Sequence, residues 1–205
     1  MTTTTQLAAP ATKTEITHSD LLELEEYQKI RSDQRKALVA VKKNRRVPIG
    51  PHATFYFESF QTMWFQIQEM LYIEKGGEAQ IADELAAYNP LVPKGRELIA
   101  TLMFEIDDEN LRKQVLSNLG GVEETVTLSF SGHDILARAE DDVDRTNAAG
   151  KASSVQFLHF DFTDQQVEDF KAFEGDIVLG IKHAGYPHMT LLQPATQKAL
   201  AADFT

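Results

Sequence analysis

Between Lys42 and Lys75 the chain mixes large apolar and polar side chains at almost every step: KKNRRVPIGPHATFYFESFQTMWFQIQEMLYIEK. Phe55, Phe57, Trp64 and Ile67 read as core residues, yet His52, Glu58, Gln66, Gln68, Glu69 and Glu74 are threaded among them. A polar group that is buried must find a partner. The stretch therefore folds into either a structural polar network or a site, and the residues leave both readings open. Their spacing predicts a loop, a core strand and a buried helix, with Glu58, Gln66 and Glu69 in one shared polar cluster.

A chain of 205 residues that is 42% apolar can bury one sizeable core. It contains no cysteine, which removes disulfides, thiolate nucleophiles, zinc–thiolate sites and cysteine-ligated iron–sulfur clusters, and fits a reducing cytoplasm. The opening MTTTTQLAAPATKTE lacks the basic and apolar regions of a secretory signal and reads as a disordered lead over 1–15, with a single domain over 16–205. No apolar run approaches the length of a membrane span. The expectation is a soluble cytoplasmic protein without a membrane partner.

Net charge is −11, which repels nucleic acid at long range, so none is expected as a partner. Yet eight basic residues fall between Lys29 and Arg46, opposed only by Asp33. As the C-terminal end of a helix whose start carries Glu23, Glu25 and Glu26, this cluster needs only the helix dipole to explain it. The alternative is a small-anion site, with Arg45 and Arg46 joined to a Pro-Gly-Pro turn just before His52 as a fixed fork. One of the two arginines is then expected to point towards the polar cluster.

The coarse organisation predicts α+β, with a largely antiparallel sheet, packed helices and a long N-terminal helix. Thr17-His-Ser-Asp20 resembles a capping box opening that helix, and Pro48 with Gly50-Pro51 stops it. Ala53–Glu58 reads as a strand, Gln61–Lys75 and Ile81–Tyr88 as helices, Leu98–Ile106 as a strand and Asp108–Leu119 as a helix. Val126–Phe130 with Ile135–Ala139, and Ile177–Lys182 with Met189–Gln193, read as hairpins; residues 140–151 read as an exposed loop. Val155–Phe162 reads as a strand leading into the capping box Thr163-Asp-Gln-Gln166, and a short helix closes the chain.

Few constellations carry chemistry. Gln66 and Glu69 share a helix face. The lone Glu15-Ile-Thr-His18 is a chance match to the motif that di-iron bundles need twice. A mononuclear metal site from His52, Glu69 and His183 is weaker than a structural role for each, so no metal or cofactor is expected. His183 and Tyr186 lie on a turn that either faces a ligand or is simply exposed; His133 reads as a solvated hairpin tip. No Gly-x-Ser-x-Gly elbow exists. The group Tyr56, Phe57, Trp64 and Phe65 reads as core before base-stacking platform.

LLELEEYQKIR, KKNRR-x3-GPHAT, QIQEML-x-IE, ELAAYNPL-x-P, ATLMFEI and GIKHAGY resemble an uncharacterised bacterial family, one of the domains of unknown function, over residues 16 to 204. The family has no reaction to carry over. Its members are encoded beside rubrerythrin-like proteins and an iron–sulfur oxidoreductase, so the resemblance implies a redox or peroxide-defence setting. Relatives more often carry His followed two residues later by Arg where this chain has Gln156 and His159 nearby, so the resemblance assigns no catalytic histidine there. The leading expectation is an accessory or ligand-binding protein with a rubrerythrin-like or iron–sulfur partner. The runner-up is an enzyme on a small anionic substrate, with Arg45 and Arg46 as clamp and His52 and Glu69 as acid–base groups or metal ligands. A third reading is a haem or metal sensor using His183 or His52.

Overall fold

Residues 97–104, ELIATLMF, form a strand that is buried on both faces, and the two faces meet different cores. The computed structural model describes residues 13–140, 146 and 150–205. Its helices are α1 (Leu24–Lys43), α2 (Phe60–Glu74), α3 (Glu78–Tyr88), α4 (Glu109–Leu116), α5 (Asp164–Ala172) and α6 (Pro194–Ala201). Its strands are β1 (Arg46–Ile49), β2 (Ala53–Phe57), β3 (Glu97–Phe104), β4 (Val126–Phe130), β5 (His133–Leu136), β6 (Arg138–Ala139), β7 (Val155–Asp161), β8 (Val178–Ile181) and β9 (His188–Leu191). They form one sheet in the order β1-β2-β3-β7-β6 and another in the order β5-β4-β8-β9. All pairings between them are antiparallel. The architecture is α+β, as the pattern of hairpins predicts.

Because side chains alternate along a strand, Leu98, Ala100, Leu102 and Phe104 of β3 point into the sandwich between the sheets, with Phe55, Phe57, Leu158 and Phe160 beside them. Val126, Leu128, Phe130, Leu179 and Ile181 fill it from the second sheet. On the opposite face, Ile99 meets a helical layer built from Tyr27, Leu38, Trp64, Ile67 and Leu71. Helix α1 is polar overall and docks by a narrow stripe, Tyr27, Gln34 and Leu38. Tyr27 is fully buried and meets Trp64, Phe65 and Tyr72 edge-on. Burying such a side chain contributes about 1.5–3 kcal/mol.

Two differences from the sequence reading fall at the start of the chain. The Thr17–Asp20 box does form, with the Asp20 carboxylate accepting from the Thr17 N–H, but it closes a single 3-10 turn, His18–Asp20. The chain is extended at Leu21, and α1 begins at Leu24. The buried Gln68 makes this break affordable: its Oε1 accepts the Leu22 N–H at 2.5 Å and its Nε2 donates to the Leu22 carbonyl at 3.4 Å. Trp64 Nε1 donates to the Asp20 carbonyl. Strand β1 is the second difference. Pro48 does not make a turn; it lies in an edge strand, where a missing N–H costs no ladder bond. Of the expected disordered lead, residues 1–12 lie outside the described residues. Lys13 pairs with Asp20, the Thr14 carbonyl accepts from Lys94 Nζ, and Ile16 is buried.

Arg45, between α1 and β1, is buried at 7% exposure. Its guanidinium donates twice to the Asp203 carboxylate (2.8 and 2.5 Å) and once each to the Ala199 and Glu58 carbonyls. Arg45 thereby ties the start of the sandwich to α6 and to Asp203 just after it. Burial pushes the Asp203 carboxyl up despite the guanidinium beside it, so desolvation outweighs attraction within this pair. Breaking such a pair leaves an uncompensated buried charge, whereas replacing both partners with apolar groups is often neutral. Arg45→Ala should therefore lower unfolding free energy by roughly 3–5 kcal/mol, and Arg45→Met with Asp203→Leu should recover most of it. Urea melts of the three proteins check this. A double variant as unstable as the single one would show that the charges themselves stabilise.

Candidate functional site

The polar string of 42–75 divides among three sets of partners. Glu58 follows β2, and its carboxylate accepts from Thr62 Oγ1 and Thr101 Oγ1, both at 2.7 Å. Ser59 caps α2 by accepting from the Thr62 N–H. Glu69 lies on the face of α2 turned to α1. It accepts from Tyr27 Oη at 2.6 Å and from Arg31 Nε and Nη2 at 2.7 and 2.8 Å, and Arg31 stacks over Tyr72. The bidentate Arg31 contact holds the Glu69 carboxyl below its ordinary value against the effect of burial, while burial and the bond to Glu69 push the Tyr27 hydroxyl up. Gln66 turns to α3, with Nε2 3.5 Å from Tyr88 Oη. The structure thus gives Glu58, Gln66 and Glu69 separate hydrogen-bond partners, because each leaves the β2–α2 unit in its own direction. Arg45 does point inward, reaching the Glu58 carbonyl.

Arg46, His52 and Tyr186 gather at one end of the sandwich, linked largely through backbone. Arg46 lies over the Tyr56 ring with its Nη2 3.6 Å from Glu105 Oε2, and Tyr56 Oη donates to Glu105 Oε1. The Tyr56 bond holds the Glu105 carboxyl below its ordinary value. The His52 carbonyl accepts from the Glu105 N–H, and its N–H donates to Tyr186 Oη, which in turn donates to the Ile49 carbonyl. The turn between β1 and β2 presses against Tyr186 and His188 so closely that a Cβ on Gly50 would lie 2.5 Å from the His188 ring. Gly50 also has φ +61, so both space and backbone require glycine. His183 is in the same β8–β9 connection. Its Nδ1 accepts from the Gly185 N–H, and its Nε2 lies 3.3 Å from the Gly120 carbonyl.

The most heavily charged buried group escaped the sequence reading. His159 on β7 is 4% exposed, with Nδ1 2.9 Å from Glu97 Oε2 and Nε2 2.9 Å from Glu140 Oε1. Each ring nitrogen faces a carboxylate, an arrangement that favours the imidazolium, in which both nitrogens donate. Burial works against that charge, but the two carboxylates outweigh it and the His159 pKa is raised. Arg138 sits opposite His159 in the ladder and bonds Asp161. The alternation Phe157, His159, Asp161 put His159 on one strand face; Glu97 and Glu140, 62 and 19 residues away, join it only through sheet register. A ring held at both nitrogens is a fixed donor, with no lone pair for a metal or a proton. Among the described residues no group of three or more His, Asp and Glu side chains is arranged around a metal-sized space. His133 bonds Asp169 of α5 at 2.8 Å, contrary to its reading as a solvated tip.

Two concavities lie on the helical side. The larger, about 130 Å³, sits where the chain breaks between the His18–Asp20 turn and α1. Leu21, Leu22, Leu24, Leu71 and Ile81 form its apolar wall, and His18, Glu23 and Glu78 its rim. His18 Nε2 meets Glu78 Oε1 at 2.8 Å across it. A helix opening directly at Thr17–Asp20 would run through Leu21 and Leu24, so that expectation hid the cleft. The smaller, about 80 Å³, is lined by Lys13, Arg45, Ser59, Gln61 and Asp203, among others.

A raised histidine pKa contributes stability that is complete below the unfolded value of about 6.5 and is lost as pH rises through the folded value. His159→Gln should cost roughly 3–5 kcal/mol near pH 6, where it strands two carboxylates, and distinctly less near pH 9. Denaturant melts across that range check it; an equal loss at both ends would show that the ring is not charged.

Comparison with known proteins places the whole described architecture in one group. A family model described as "Protein of unknown function (DUF3501)" matches residues 15–204. Among proteins of curated function, none matches. A crystal structure described as a novel protein of unknown function from Burkholderia pseudomallei K96243 is similar over 93% of this chain and 99% of that one, with 38% identity and a TM-score of 0.85. With a family model spanning both cores and a solved relative at this identity, the chain belongs to the DUF3501 family of proteins of unknown function.

Proposed function

We propose that this chain is an accessory protein that docks onto a partner protein through the acid-rimmed cleft at the start of α1. The cleft is the observation that carries the reading. A cavity of about 150 Å³ lined by aliphatic side chains holds a benzene-sized group, so this cleft of about 130 Å³ takes one side chain the size of Leu, Met or Phe. Glu23 and Glu78 at the rim, with Glu25, Glu26 and Glu74 nearby in sequence, favour Lys or Arg flanking that anchor. Charge then steers encounter, and the buried side chain supplies most of the affinity. The setting is a cytoplasmic redox or peroxide-defence system with a rubrerythrin-like or iron–sulfur partner. It rests on the family resemblance and on a cysteine-free chain, which cannot itself hold a thiolate-ligated cluster.

An enzyme on a small anionic substrate has one observation in its favour: Lys13, Arg45, Ser59 and Gln61 line one small concavity. Against it, Arg45 already donates to Asp203 and to two carbonyls, and Arg46 is engaged with Tyr56 and Glu105.

The test is a native pull-down with elemental analysis of the purified chain. Glu23→Lys with Glu78→Lys should lower retention of a specific partner at least about tenfold, and the parent complex should weaken as salt rises. Glu109→Lys, on exposed α4, should leave retention unchanged. Equal retention by all three proteins would overturn the cleft as the docking site. About one metal per chain, lost on His52→Ala or Glu69→Ala, would put metal-assisted chemistry first.

A further inference from the structure

Leu21, Leu22 and Glu23 wall one side of the larger cleft and lie outside any helix, between the His18–Asp20 turn and α1. A backbone group without an internal partner must turn to water or to another chain. The Leu21 N–H donates to the His18 carbonyl, and the Glu23 carbonyl accepts from the Tyr27 N–H. Both groups of Leu22 bond the buried Gln68 side chain. The Leu21 carbonyl and the Glu23 N–H remain, and neither has a partner among the described residues.

These two groups are the pair that an antiparallel partner strand needs. A residue placed opposite Leu22 in a non-hydrogen-bonded pair is flanked by one N–H, which donates to the Leu21 carbonyl, and one carbonyl, which accepts the Glu23 N–H. The two side chains of such a pair stand close, with Cα atoms about 4.5 Å apart. A side chain opposite Leu22 therefore stands beside it, on the face where Leu22 lines the cleft. Residues two positions to either side of that anchor share its face. The rim they would meet carries Glu23, which is exposed, and Glu78, which meets His18. The two bonds from Gln68 already hold Leu22, so a partner has little ordering left to impose.

We propose that the cleft takes an extended, basic segment of the partner protein, paired antiparallel with Leu21–Glu23 and with its apolar anchor opposite Leu22. This rests on the docking reading above and deepens it: the partner supplies a linear sequence of the pattern basic-x-apolar-x-basic, not a folded surface. The backbone bonds to Leu21 and Glu23 give affinity whatever the sequence, and the anchor with its two flanking cations gives specificity. The acidic rim selects a basic segment over an acidic one.

Fluorescence anisotropy with the fluorescein-labelled peptide Gly-Lys-Thr-Phe-Thr-Lys amide tests it. The parent chain should bind this peptide saturably and should not bind the version with both lysines replaced by aspartate. Glu23→Gln removes the charge and keeps the N–H; Glu23→Pro removes both. Glu23 has φ −56, a proline value, so the fold should accept the change, with circular dichroism and melting as the check. Binding should be about fivefold weaker in Glu23→Pro than in Glu23→Gln, the worth of one hydrogen bond. On the peptide, a methyl on the amide nitrogen after Phe should weaken binding by a similar factor, and a methyl on the Phe nitrogen, which points away, should not. Binding that Glu23→Lys with Glu78→Lys abolishes, but that ignores both Glu23→Pro and the placement of the methyl, would overturn the strand pairing and leave the cleft as the docking site. No saturable binding below about 1 mM, with partner retention still dependent on Glu23 and Glu78, would overturn the linear segment alone. Loss of both dependences would overturn the docking reading with it.

Discussion

Strand β3 has no solvent face, and that constraint organises the molecule. Alternate residues are committed to opposite cores: Leu98, Ala100, Leu102 and Phe104 to the sandwich, Ile99 to the helices. A slip of one residue would exchange the two sets. Glu58 guards against this slip at one point, where its backbone N–H bonds the Ile99 carbonyl and its carboxylate bonds Thr101. The strand and the helix that follows it are thereby fixed against β3 by polar contacts that only one register satisfies.

The interior polar groups share a common logic. Arg45 with Asp203, Arg31 with Glu69 and Tyr27, and His159 with Glu97 and Glu140 each join elements distant in sequence. Each fixes one element against another at a single orientation, which apolar packing alone does less selectively. The side chains most suggestive of chemistry are thus the ones most fully engaged in holding the fold. The surface concavity at the start of α1 is plainer: an apolar cleft with acids at its lip.

What was legible in the sequence was local. Gln61–Lys75 read as a helix within one residue of α2, the capping box of Thr163 and Gln166 announced α5, and Val126–Phe130 read as the first strand of a hairpin, as β4 is. What was hidden depended on distant partners. The break before α1 exists because Gln68 bonds Leu22 from another helix. β1 was masked by Pro48, which only an edge tolerates. The run 135–139, read as one strand, divides at Ala137 because β5 pairs with β4 while β6 crosses to β7. Of the candidate site, Arg45, His52 and Tyr186 were singled out as ligand-binding groups; the structure shows Arg45 bonded to Asp203 and the His52 N–H bonded to Tyr186, and nothing local distinguishes a structural partner from a ligand. The His159 cluster had no signal beyond strand alternation.

The Arg45–Asp203 pair spans 158 positions, and this has a consequence for the order of events as the chain is made. At synthesis rates of about 5–20 residues per second, on the order of 10 s separates the two residues. In that interval the helical layer and β1-β2-β3 can assemble from sequence-local contacts, but β3 presents its inner face with nothing against it, and the Arg45 guanidinium has no carboxylate. Long-range closure comes last because its entropy cost must be met before its contacts exist. The nascent N-terminal half is therefore a sheet with one bare apolar face, held open until β4, β8 and α6 arrive.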